Sequence, residues 1–423
     1  MTSRKILLFI LLVSCGSFHK KSGKNPQDVS TAALQTERID EILQEIRKTS
    51  SEFPCSRTEG CRFVDLTPEK NVEAQKDAAV VMVIDKGMIG TSLSAFRNRV
   101  IAHYDGYGNP YSPRVRVPEK YYEIMKIAGN NIKYIPYEKK ISDELARIGH
   151  ELMGFMAGPV KHGDAIFNFL AQADKNAFFV IVQENEMDIC GFFVEAESSK
   201  DGIFAERLTG IIERHGVKYI NLSSGFDIPS FKNRWIQKKC RGTVPDEIEL
   251  VRYMKNYNEK FIQKLSEYAL VVKAGPNIDD GMKLKKHDAD YFSDCSLRGN
   301  IIRVQPIVID DNLEIPAGGI RQSMARSHFV ENSRECTDLY VRSYSNFNDP
   351  RAMLFSPNML MFLNMGISTS YMAPVALSYL AQIGEYRGLD REAAASLVHG
   401  QSEDALIIDP KYLMDSLQSP GSN

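Results

Sequence analysis

Beyond about residue 76 the chain repeats one pattern: short, wholly apolar runs rich in β-branched residues, separated by longer stretches with helical spacing. The first such run is 79–84, and others follow at 99–103, 177–182, 217–222, 269–273 and 301–304. An apolar run without polar alternation is the signature of a strand covered on both faces, because neither side meets water. Helical spacing appears near 167–173, 203–214 and 246–268. The alternation predicts βαβ units with right-handed crossovers, hence an α/β fold with a doubly wound, mostly parallel sheet flanked by helices. No internal repeat is visible.

The first residues follow a different pattern. Arg4 and Lys5 precede the apolar run Ile6 to Val13, too short for a stable bilayer-spanning helix, and Ser14 is a small residue before Cys15. This layout predicts an export signal over 1–14. From Phe18 to about Asp28 the chain is rich in Lys, Ser, Gly, Asn and Gln, the composition of a flexible tether, here taken as 15–31. Residues 32–48 carry Leu34, Ile39, Ile42, Leu43 and Ile46 at a helical period. Within the segment 32–75 this helix is either a packing helix, the favoured reading, or a small pro-segment. The main domain is expected over 76–418, with insertions near 104–155 and 278–298.

Composition narrows the partners. With 43% hydrophobic and 25% charged residues and a formal net charge of -2, the chain has the core of a globular protein and no broad cationic footprint for nucleic acid. Cys15 aside, Cys55, Cys61, Cys190, Cys240, Cys295 and Cys336 form an even set, as an exported protein permits. Cys55 and Cys61 are the nearest local pair; the other four allow three pairings, or burial as free thiols. No CxxC spacing is present. His287, Asp288 and Asp290 read as part of a charged loop rather than as metal ligands, and no metal or cofactor is expected.

Three short segments carry candidate chemistry. Asp85 directly follows the apolar run Val80 to Ile84, at the carboxyl end of a predicted strand, where α/β sheets gather functional side chains. His162-Gly163 precedes a buried helical pattern of Ala165, Ile166, Phe167, Phe169 and Leu170. Ser370 lies in Ser368-Thr369-Ser370-Tyr371-Met372-Ala373-Pro374, ahead of the apolar run Val375, Ala376, Leu377 and Leu380. A serine there can cap a helix; equally, the helix-terminal N–H groups can face an oxyanion formed by attack of that serine on a carbonyl.

The order Asp, His, Ser together with these motifs resembles the subtilase family of serine proteases. Val83-Ile84-Asp85-Lys86-Gly87 is similar to its V-I-D-S/T-G motif, His162-Gly163 to H-G-T-H, and Thr369-Ser370 with Ala373-Pro374 to G-T-S-M-A-x-P. Leu270 to Asn277 resembles the strand and A-A-G-N turn carrying an oxyanion asparagine. Asn221-Leu222-Ser223-Ser224-Gly225 resembles the N-M-S-x-G edge that pairs with extended substrate. Tyr344-Ser345-Asn346-Phe347 and Ser356-Pro357-Asn358 resemble the turns ahead of the serine helix. The resemblance implies a subtilisin-like endopeptidase with Asp85, His162 and Ser370 as triad, Asn277 as oxyanion donor, and Ser223, Ser224 and Gly225 against a protein or peptide substrate. Leu12-Val13-Ser14-Cys15 resembles the lipobox of bacterial lipoproteins, which implies lipidation at Cys15 and a membrane partner on the outer face; an ordinary secretory signal is the alternative.

The motifs also depart from the family pattern. Lys86, Ser368 and an extra Pro276 stand at motif positions, and Asp164-Ala165 replaces Thr-His. These departures motivate a second reading, a catalytically silent fold serving as a surface binding or scaffold lipoprotein.

Overall fold

The structure is a computed structural model, and the residues it describes are chiefly 72–75, 78–87, 96–111, 162–174, 176–184, 200–223, 228–275, 299–308, 337–343 and 369–383. Short pieces at 63–65, 116–119, 353–356, 361–364 and 407–408 and a few single positions complete them.

Six successive buried residues, Val80–Asp85, form strand β2, flanked on both sides by other strands of the main sheet. Two earlier or later short pieces pair outside that sheet: β1 (Phe63–Asp65) with β4 (Arg116–Pro118), and β10 (Met353–Ser356) with β11 (Met361–Asn364), both antiparallel. The main sheet adds β3 (Val100–Tyr104), β5 (Phe178–Gln183), β6 (Tyr219–Leu222), β7 (Leu270–Ala274), β8 (Ile301–Val308), β9 (Leu339–Ser343) and β12 (Ile407–Ile408). Its eight strands lie in the order β12-β9-β8-β7-β6-β2-β5-β3, and every pairing is parallel. The chain first winds from β2 to β3 and β5 on one side, then crosses to β6, β7, β8 and β9 on the other. The switch point is therefore at β2, where the carboxyl ends of an open α/β sheet leave a crevice.

Helices cover both faces. On one side α1 (His162–Ala173) and a later helix, Thr369–Ile383, pack on Val81, Val83, Tyr219, Val272, Ile302 and Val341. On the other, α2 (Lys200–His215) and the segment from 258 to 266 pack on Val80, Met82, Ile84, Ile220, Val271 and Ile301. Alternate residues of one strand thus enter two cores, which explains the unbroken apolar runs. Each fully buried Phe, such as Phe167 or Phe179, contributes about 1.5 to 3 kcal/mol, and these two rings meet edge to face at 5.2 Å.

The expected fold class is the observed one, with shifts at the element ends. The stretch 246–268 is not one α-helix: α4 (Glu247–Tyr257) gives way to a π-helical turn, Asn258–Gln263, before a last turn at Lys264–Ser266. The wider turn puts Phe261 and Ile262 on the sheet together. Of the helix expected over 32–48, Glu41, Gln44 and Lys48 are described; all three are helical and exposed, as its polar face should be. In the main sheet and its helices, β9, β12 and α3 (Ile228–Gln237) had no counterpart in the sequence reading, and neither did the short strands β1, β4, β10 and β11.

Helix α3 ends in a Schellman motif: Cys240 N–H donates to the Trp235 carbonyl at 3.2 Å and Lys239 N–H to that of Ile236 at 3.1 Å. Lys239 takes the left-handed position, φ 52°, where glycine is usual. A side chain there costs about 1 to 2 kcal/mol. Cys240, next to it, is disulfide-bonded. The other cysteines, including the expected Cys55–Cys61 pair and Cys15, lie outside the described residues.

Arg99 locks the far end of α1. Its guanidinium donates to the carbonyls of Ala171, Asp174 and Ala177 and lies over the rings of Phe96 and Phe179. A cation on the last carbonyls of a helix satisfies orphaned acceptors and opposes the negative dipole end.

On the edge strand β3, His103 is buried with neither ring nitrogen hydrogen-bonded among the described residues, its ring edge-on to Tyr111 at 5.0 Å. Burial lowers its pKa to about 4, so it stays neutral when folded. Between pH 6.5 and 4 the unfolded chain takes up a proton that the folded one refuses, so this site favours unfolding increasingly as pH falls, by about 3 kcal/mol in all. His103→Phe is expected to flatten that acid-side loss. Urea denaturation at pH 7 and pH 4.5 checks it; equal pH dependence in both proteins would refute the assignment.

Candidate functional site

Asp85 is the last residue of β2 and fully buried. It shares the alternation of Val81 and Val83, so its carboxylate leaves the sheet on the α1 face. Lys86 follows, then Gly87 at φ 69°, a left-handed turn that glycine adopts without penalty. The turn brings the Lys86 carbonyl to the start of α1, where Gly163 N–H donates to it at 2.8 Å. This backbone bond seats His162 over the strand end.

His162 Nδ1 and Asp85 Oδ1 lie 2.7 Å apart. The Lys86 backbone N–H donates to the same oxygen at 2.7 Å, and Glu184 N–H donates to the Asp85 main-chain carbonyl at 2.7 Å. Asp85 Oδ2 is buried with no hydrogen-bond partner among the described residues. A carboxylate oxygen placed this way is expensive in a protein interior unless a cation offsets it. The imidazole is the group that can become one.

The electrostatics of His162 are a contest between burial and its neighbours. Desolvation pulls its pKa down, while the Asp85 hydrogen bond and charge raise it; Lys86 lowers it a little and Glu184 raises it. The net shift is upward. Asp85 wins because the bond is short and its charge is held away from water. The histidine side chain keeps 37% of its surface exposed against 0% for the aspartate, so part of it stays accessible while its partner is closed off.

The helix Thr369–Ile383, now α5, completes the region. Ser370 sits in its first turn and is buried. Pro374, four residues on, lacks the N–H that would bond the Ser370 carbonyl, so that carbonyl is freed from the helical ladder. The ring of Tyr371, next to Ser370, tilts against that of His162 with centroids 6.0 Å apart. Burial, and then the charge of Asp85, raises the Tyr371 pKa and keeps its phenol neutral. The start of α5 therefore lies beside the imidazole that Asp85 holds. Unpaired backbone N–H groups at a helix start, with the positive end of the dipole, suit a developing oxyanion.

Of the substrate-edge candidates, Ser223 is buried just past β6, and its Oγ accepts from Asn221 Nδ2 at 2.8 Å. Asn221 is level with Val83 in β2 and Val272 in β7, under the same face as Asp85. Ser224, Gly225, Asn277 and the lipidation candidate Cys15 lie outside the described residues. Asn277 would follow closely on Gly275, whose N–H donates to Val304 at 2.9 Å. A Cβ on Gly275 would lie 2.1 Å from Gln305 Nε2, so glycine is needed there for close packing.

Tyr371, Glu184 and Asn221 are the site residues whose roles the sequence did not reveal. The signal for Tyr371 was present, since it directly follows the candidate serine. Among the described residues no group of three His, Cys, Asp or Glu side chains could hold a metal ion, and no helix is long and apolar enough to cross a membrane. His287, Asp288 and Asp290 fall outside them.

No protein-family model and no curated protein matches this chain. Among solved structures it is similar to one described as a lanthipeptide protease, with 11% identity, 80% of this chain and 88% of that chain covered, and a TM-score of 0.38. At that score the likeness says nothing about the site.

Proposed function

We propose that the chain is a subtilisin-like serine endopeptidase, exported and held at the outer face of a bacterial membrane through lipid on Cys15. The observation that carries the enzymatic part is the 2.7 Å bond between His162 Nδ1 and the buried Asp85 carboxylate at the sheet's switch point, beside the first turn of α5. Bonding through Nδ1 leaves Nε2 as the base. In the reaction so read, Ser370 Oγ attacks a peptide carbonyl as His162 Nε2 takes its proton. The imidazolium is stabilised by Asp85 and returns the proton to the leaving amine, and water then releases the acyl group by the same steps. The Ser370 N–H and Asn277 would stabilise the oxyanion, and Ser223, Ser224 and Gly225 would line the extended substrate.

A fluorophosphonate probe tests this directly. The folded protein is expected to be labelled at Ser370, located by peptide mass spectrometry, and to cleave unfolded casein. Well-folded protein that is neither labelled nor active would instead support the scaffold reading motivated by Lys86, Ser368 and Pro276.

The pH profile follows from the raised His162 pKa. A base works only when neutral, so kcat/KM is expected to rise with pH along a single limb whose midpoint lies above 6.5. A midpoint well below 6.5 would mean that Asp85 does not control the titrating group.

A further inference from the structure

Helix α3 and the turn after it make a surface that the peptidase reading does not use. Lys232, Arg234, Lys238, Lys239 and Arg241 fall within ten residues, and no carboxylate occurs from 228 to 245, in a chain whose net charge is -2. The helix buries Phe231 and Trp235, one turn apart, whose rings lie 6.1 Å from each other. The other side faces outward: Asn233, Arg234, Ile236 and Gln237 are exposed, as are Lys238, Lys239 and Arg241. Ile236 is 61% exposed, one turn after Lys232 and directly before the cationic turn, and Val244 is 39% exposed.

Two features indicate that this surface is held in shape. The Schellman bonds fold Lys238 to Cys240 back on the end of α3, and Cys240 is tied by a disulfide. Lys239 occupies the left-handed position at φ 52°, where glycine would relieve the backbone. The helix dipole favours cations at this end of α3, but it does not require one at the strained residue. Strain kept at a surface cation points to a use for its charge.

We propose that this face of α3, with Ile236 and Val244 among the cations, docks on an anionic lipid bilayer. Lysine and arginine side chains meet lipid phosphates, while an exposed isoleucine enters the boundary between headgroups and acyl chains. An acidic polypeptide would match the same charge, so polyglutamate binding is measured beside vesicle binding to separate the two. The inference stands independently of the peptidase reading.

The test uses the full chain carrying Cys15→Ser, so that no N-terminal lipid anchors every protein to the vesicles alike. Flotation is measured with vesicles of phosphatidylglycerol and phosphatidylcholine, and with phosphatidylcholine alone. Lys239→Gly is expected to weaken binding to the anionic vesicles about fivefold, from the usual contribution of one cation, with Tm unchanged or higher. A triple Lys232→Glu, Lys238→Glu, Lys239→Glu variant is expected to lose about a hundredfold or more by the same reasoning. Ile236→Asn is expected to weaken binding even at high salt. Circular dichroism and Tm confirm folding, and a triple variant that does not fold leaves the two single substitutions to decide. Binding by the folded variants equal to that of the starting protein overturns the proposal. So does loss of polyglutamate binding with vesicle binding retained, which would assign the face to an acidic polypeptide.

Discussion

Ser370→Ala is expected to lower peptide turnover about a millionfold, the loss found when a nucleophile of this kind is removed. In the proposed reaction the hydroxyl oxygen becomes covalently bonded to the acyl group, so no neighbouring side chain could substitute for it. Ser370 lies in the first turn of α5 with the buried Thr369 beside it, and deleting one hydroxyl there leaves the packing of Met372, Ala373 and Ala376 intact. The variant should therefore fold normally. His162→Ala is expected to cost about as much, and the double variant little more than either alone, because the two residues act as one unit. Initial rates on a peptide substrate check all three. Losses that multiply would show independent roles, and a Ser370→Ala protein retaining a tenth of the activity would remove the serine from the chemistry.

Asp85→Asn is expected to cost about ten-thousandfold in kcat, with the fold preserved. The carboxylate lies 2.7 Å from His162 Nδ1, and accepting its proton would fix the tautomer that the proposed reaction needs, with Nε2 free as base. An amide in its place can donate to Nδ1 and select the wrong tautomer. The two influences of Asp85 that raise the His162 pKa, hydrogen bond and charge, vanish together, so the acid limb of the residual activity should move to lower pH.

The same substitution has a stability signature whose sign can be worked out. Because the folded pKa of His162 lies above its unfolded value near 6.5, proton binding by the pair stabilises the fold fully below that value and ceases to do so as pH rises through the raised pKa. Once pH has risen through the raised His162 pKa, the starting protein carries a neutral imidazole beside a buried carboxylate whose Oδ2 has no partner among the described residues. Asp85→Asn should then be as stable as the starting protein or more so, while at pH 5.5 it should be less stable. Stability held back in this way at a working site is a common cost of activity. Urea denaturation at pH 5.5 and above the raised pKa, beside the kinetics, separates a catalytic carboxylate from a merely structural one; a structural Asp85 would lose stability at both and leave the tautomer-dependent rate untouched.

What was legible in the sequence was whatever depends on local hydrophobic pattern. Val80 to Ile84, Phe178 to Val182 and Leu270 to Val272 announce strands because each successive side chain is apolar and both faces are covered. The position of Asp85 at a strand end and of His162 at a helix start followed from the same pattern. Helix α3 escaped because, among its described side chains, only Phe231 and Trp235 are buried, in a short stretch rich in polar and basic residues, and β9 because five residues between uninformative segments carry too little periodicity. The π-turn at Asn258–Gln263 escaped because a single added residue per turn barely disturbs a helical spacing.

By itself, then, the sequence determined the layered α/β class, the chain positions of the strands and the residue types able to do acyl-transfer chemistry, since these depend on side-chain hydrophobicity and intrinsic reactivity. Tertiary structure alone decided that β2 is the switch point, that His162 reaches an aspartate 77 residues earlier, and that Tyr371 lies against the imidazole. It also decided that Ile236, Lys238, Lys239 and Arg241 are exposed while Phe231 and Trp235 are buried. The physical reason is that contacts between distant residues depend on how helices settle on a twisted sheet, a sum over the whole core that no local window of residues contains.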